Sequence, residues 1–256
     1  MRRDAAGFRL RGLAMTRIET FTDAAFAFSL TLLVISLDPP ATMAALEGAL
    51  RQIPAFLLSA SLLMVFWAGH HSWSRRFGMD DATTIVLSCL LVFTVLVYIH
   101  PLRFMFSAMT AWIARLTDLP IGPPGDSLGI RSLRDVNRMF VLYGLGFVAM
   151  SASIALLNLH AWRHRGALGL DALERQATLS EVGSWCILIA VGLASALVAA
   201  VFPDALPVAG WAYALLAVIM PLYGGRARRR AATAALRSGT PAARDGAVFA
   251  STGDPD

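Results

Sequence analysis

Six long apolar runs, separated by shorter polar stretches, occupy most of the first 224 positions of this 256-residue chain. They fall at approximately 17–37, 52–73, 83–106, 138–160, 182–202 and 208–224. A helix rising about 1.5 Å per residue needs roughly 20 apolar residues to cross about 30 Å of hydrocarbon. The pattern therefore predicts an all-α membrane protein with six transmembrane helices. The sixth run is the shortest. After position 224 the chain turns rich in Ala, Gly, Ser, Thr and Asp, interspersed with Arg, and has nothing to bury. Residues 225–256 read as a basic, disordered tail. No internal repeat stands out, so residues 1–224 read as one six-helix unit.

Composition agrees with the pattern. Apolar residues make up 57% of the chain and charged residues 15%, against about 25% charged in a soluble domain. The net charge is +5, and all 22 basic residues are arginine. These arginines flank the apolar runs instead of lining one amphipathic face, which argues against a nucleic-acid partner and for contacts with the lipid bilayer. Sixteen of them lie in the N-terminal segment, after the second and fourth runs, and in the tail; six lie elsewhere. The positive-inside rule then places both termini in the cytoplasm. The loop 107–137 dissents with Arg115, Arg131 and Arg134, but Asp118, Asp126 and Asp135 partly balance it. The first apolar run is too long for a signal peptide and ends at Asp38-Pro39-Pro40 without a small-residue cleavage site, so it reads as a retained helix.

Polar chemistry gathers in the first two helices. Thr16-Arg17-Ile18-Glu19 has the form of a capping box, in which Glu19 would reach back to the cap. Asp23 follows, about two turns into the helix. An ionised Asp near the bilayer centre costs about 2.5–3.5 kcal/mol on insertion scales, so it either snorkels to the interface or finds a partner. The second helix offers Trp67-Ala68-Gly69-His70-His71 at the same depth. A cluster of Arg17, Asp23 and one histidine is expected, with His71 the one that faces it. Neighbouring helical residues point about 100° apart, so His70 and His71 are not expected to chelate one metal. His100, His160 and His164 read as helix-end residues, and the two cysteines show no metal or disulfide spacing. Further along helix 1, Phe28, Leu32 and Ile35 form an i, i+4, i+7 stripe beside Thr31. The stripe is ordinary packing unless several copies of helix 1 surround an axis, in which case it becomes an apolar constriction with a hydroxyl layer.

The segment Arg17-Ile18-Glu19-Thr20-Phe21-Thr22-Asp23 resembles the R-x-x-x-F-S-D signature that opens the first helix of the transmembrane protein 175 family, endosomal/lysosomal-type potassium channels with prokaryotic relatives. Trp67-x-x-His70-His71 resembles the same family's second-helix pattern. The specific match covers about 60 residues at the N-terminal end. It implies a homotetramer passing potassium ions passively through a pore lined by helix 1, without a T-V-G-Y-G filter. This chain has no such filter; Tyr143-Gly144-Leu145-Gly146 is only superficially similar and reads as close helix packing. By position, Phe28, Leu32 and Ile35 would be the constriction and Thr31 the polar layer. Arg17, Thr22, Asp23, Trp67 and His71 would form the supporting network. Thr22 stands where the family has serine, and Phe28 where a branched aliphatic residue is usual. The family further implies the cell membrane, in bacteria the inner membrane, and no cofactor beyond the permeant ion.

A proton-conducting or proton-gated pore is the alternative raised by Asp23 and His71. A non-conducting structural or regulatory membrane protein is raised by the bulk of Phe28. An intramembrane enzyme is disfavoured, since neither G-x-S-G nor H-E-x-x-H occurs.

Overall fold

The computed structural model describes residues 3–4, 7–35, 41–123, 125–204, 208–216 and 218–225. The expected tail at 225–256 lies outside them, apart from its first residue. The chain is all-helical, with no strand beyond an isolated bridge between Arg3 and Arg9 among the described residues. Its α-helices are α1 (Arg17–Ile35), α2 (Met43–Arg51), α3 (Ile53–Phe77), α4 (Ala82–Thr117), α5 (Leu133–Arg163), α6 (Ala172–Val201) and α7 (Val208–Ala214). Four of them, α3 to α6, are long and apolar enough to cross a membrane. The helix α1 is shorter, at 19 residues, and carries Arg17, Glu19 and Asp23. The expected sixth run falls on α7 and on the apolar residues after it, too short among the described residues to count with the four.

Helix ends depart from the hydropathy pattern for identifiable reasons. The helix α4 continues eleven residues past 106, to Thr117, through good helix formers and past an internal Pro101. It stops where Asp118 takes a left-handed conformation just before Pro120. The long loop expected from 107 is thus partly helix, and His100 lies inside α4 instead of at a helix end. At its start, Asp81 accepts a hydrogen bond from the Thr84 amide, and His160 Nε2 sits 2.6 Å from its other oxygen. Burial pushes the Asp81 carboxyl up, but hydrogen bonds with Thr84 and His160 outweigh it and hold the group at about 2. Similarly, α6 begins ten residues ahead of 182 because Asp171 and Glu174 close a capping box.

The core lies among α3, α4, α5 and α6, around Leu63, Phe66, Leu91, Val95, Phe147, Met150, Ile154 and Trp185. Close approach of the helices depends on small residues. A side chain at Gly144 would press on Ala196 and the Gly192 carbonyl of α6, and one at Gly146 would overlap the Tyr98 ring of α4. Tyr98 is buried, its hydroxyl donating to the Tyr143 carbonyl at 2.9 Å. The Gly146→Ala variant should therefore lose about 1–3 kcal/mol to overpacking. A thermal midpoint equal to wild type in detergent would show that Tyr98 yields without cost.

The helix α1 packs against α3 and α4. It buries Glu19, Thr22, Phe26, Ser29 and Leu33, spaced three and four apart. Its opposite face is exposed, with no packing partner among the described residues.

Candidate functional site in the first helix

Thr16 caps α1 by accepting from the Glu19 amide at 3.2 Å. The reciprocal half of the expected box is missing: the Glu19 side chain turns inward and is 2% exposed. Its Oε1 lies 3.8 Å from His71 Nδ1, and its Oε2 has no hydrogen-bond partner among the described residues. Four residues on, Asp23 Oδ1 accepts from Trp67 Nε1 at 2.8 Å. The Trp67 indole in turn stacks on the His71 imidazole, centroids 5.2 Å apart and planes 20° off parallel. Two carboxylates of α1 thus meet an aromatic pair of α3, presented by the i, i+4 spacing on both helices.

Thr22 is fully buried and donates to the Ile18 carbonyl at 2.8 Å, so its hydroxyl is spent within α1. His70 points elsewhere. It is 1% exposed, and its Nε2 meets the Ser88 hydroxyl of α4 at 3.0 Å. Arg17 stands apart from the cluster, exposed at the first turn with no ion pair to Asp23. Six helical residues amount to about 600°, which leaves Arg17 and Asp23 some 120° apart around the axis. Glu19 is the residue that sequence reasoning missed. Its signal was the four-residue spacing to Asp23, overshadowed by the capping pattern.

The open face of α1 carries Phe21, Ala24, Ala27, Phe28, Thr31 and Val34, all exposed. Phe28 is 56% exposed. Thr31 lies near the middle of that face and donates to the Ala27 carbonyl at 3.1 Å. Leu32 is half-buried at its edge. Ile35 is the last residue of α1, and its side chain falls outside the described set. Among the described residues, no three His, Cys, Asp or Glu side chains converge to hold a metal ion.

Comparison with known proteins extends this picture over nearly the whole chain. Residues 17–98, from the start of α1 into α4, match the family described as the endosomal/lysosomal potassium channel TMEM175. A protein of Marivirga tractuosa named potassium channel is 30% identical over 221 residues, which are 85% of this chain and 89% of that one. A crystal structure of a variant of the potassium channel MtTMEM175, in complex with a Nanobody-MBP fusion protein, superposes with a TM-score of 0.77 at 28% identity. It covers 87% of this chain and 97% of its own. With one signature opening α1, its companion on α3, and a relative aligned across most of both chains, this membrane protein belongs to the transmembrane protein 175 family.

Proposed function

We propose that the chain is a potassium-preferring cation channel, not an enzyme, and that it conducts passively through a homotetrameric pore lined by the open face of α1. The observation that carries the reading is that face. It holds apolar groups and one central hydroxyl, Thr31, on a helix whose other side is anchored by the Glu19 and Asp23 carboxylates. Four copies around an axis would set Phe28, Leu32 and Ile35 as an apolar constriction and Thr31 as the layer that replaces part of an ion's water. Glu19, Asp23, Trp67 and His71 would fix the helix's rotation from behind. In this reading α1, the four long helices and the segment 208–224 make six crossings of the cell membrane, with both termini cytoplasmic as the arginines require.

Potassium flux into liposomes tests the reading. Wild-type protein should carry flux, and Thr31→Ala or Leu32→Ala should change the potassium-to-sodium ratio by several fold. Absence of flux, or ratios unmoved by both substitutions, would sink it. A second reading, proton conduction, is favoured by one observation: the buried Glu19 carboxylate beside His71. It predicts reversal potentials that follow an imposed pH gradient, and the same liposomes decide between the two.

A further inference from the structure

The polypeptide ahead of α1 is folded onto the arginine-rich end of the bundle. Phe8 is 2% exposed and sits in a satellite core with Trp73 and Phe77 of α3, Leu157 and Ala161 of α5, and Leu170. Its ring meets Phe77 edge-on at 5.4 Å. Close by, Glu174 at the start of α6 has a fully buried side chain that collects a dense set of donors. The Arg9 amide and Nε reach Oε1 at 2.9 Å, and Arg9 Nη2 and Arg11 Nη2 each reach Oε2 at 2.8 Å. Beyond them, Gly12 donates to the Arg75 carbonyl at 3.1 Å, with its Cα so close to α3 that any side chain would strike the Ser74 carbonyl. Arg76 completes the clamp, bound to Asp4 at 3.1 Å and to Glu181 at 3.2 Å.

Only four residues, Leu13 to Thr16, separate this clamp from Arg17. A fully extended chain covers at most about 3.3–3.6 Å per residue, so the link bounds how far the leading end of α1 can travel from the clamp. Among the arginines at this end, Arg9, Arg11 and Arg76 are matched to carboxylates from elements far away in sequence, whereas Arg17, Arg163 and Arg165 are exposed with no acidic partner among the described residues. Topology alone would need no such pairing; a charged side chain near an interface is served by water and lipid. A buried carboxylate with five N–H bonds from one short segment, the fifth from Arg11 Nη1 to Oε1 at 3.3 Å, is the design of an anchor.

We infer that residues 7–12 are a tether for the lining helix, with Glu174 as the positioning residue that holds it. The inference rests on the channel reading above. A displacement of α1 beyond the reach of the four-residue link must lift the tether, so the clamp sets a barrier to movement in both directions. Glu174 touches no ion; it acts through Arg9, Arg11 and the position of α1.

Single-channel recording of the full chain in planar bilayers, paired with hydrogen exchange, tests this. Glu174→Gln removes the charge while keeping the shape, and the double variant Arg9→Gln/Arg11→Gln weakens the same anchor from its more exposed side, should the first not fold. In both, amides of residues 7–16 should exchange faster, and mean open and closed dwell times should both shorten at least threefold. Unitary conductance and the potassium/sodium reversal potential should stay unchanged. Faster exchange with unaltered dwell times would overturn the tether's part in gating and leave it a packing device. A shifted reversal potential would overturn it too, by placing the segment in the ion path. A wild type without potassium current would overturn the channel reading and the tether with it, which separates the two failures.

Discussion

Replacing Phe28 by alanine is expected to raise potassium flux on the order of tenfold, equivalent to about 1.4 kcal/mol off the permeation barrier. The ring is more than half exposed on the open face of α1, and its nearest neighbours on that face are small: Ala24 one turn before, Ala27 directly before it, and Thr31 one turn after. Around an axis it would be the widest group at its level, and an apolar ring of that size excludes water as well as ions. Removing the ring relieves both the steric and the dewetting contributions. Phe28→Trp should act oppositely and reduce the flux. Unitary conductances of the three proteins settle the matter. Values within twofold of one another would mean that the ring turns away from the axis, and the constriction would then have to be sought at Leu32 and beyond.

Asp23→Ala is expected to destabilise the protein by about 1.5–3 kcal/mol, the range for hydrogen bonds to charged groups, because it leaves the Trp67 indole N–H without its acceptor. For a chain of this size that corresponds to a fall in thermal midpoint of about 3–12 °C. Asp23→Asn keeps an acceptor oxygen and should cost less. Trp67→Phe keeps an aromatic ring over His71 but removes the donor, so Asp23→Ala/Trp67→Phe should be little worse than the more damaging single change. Strict additivity of the two losses would show that the 2.8 Å contact contributes nothing by itself.

The helical, membrane-embedded character of the chain and the signature of its family were legible in the amino-acid order. Both are local properties: hydropathy sums residue by residue, and Asp23, Trp67 and His71 declare themselves by being polar inside apolar runs. Helix ends were less legible. Hydropathy reports the apolar stretch alone, whereas α4 runs on to Thr117 by helix propensity and α6 starts early at the Asp171–Glu174 box. The fate of individual charges was least so. Arg17 and Glu19 are two residues apart, yet one is exposed and the other buried, because packing of α1 on α3 and α4 fixes its rotation. The tether lay furthest from view. Arg9 meets Glu174 across 165 positions of chain, and a polar segment with no periodicity carries no mark of its distant partner. Composition and spacing therefore determined what kind of protein this is. Only the tertiary structure decided which face of α1 is free and what holds its leading end, since both depend on contacts between residues that no local pattern relates.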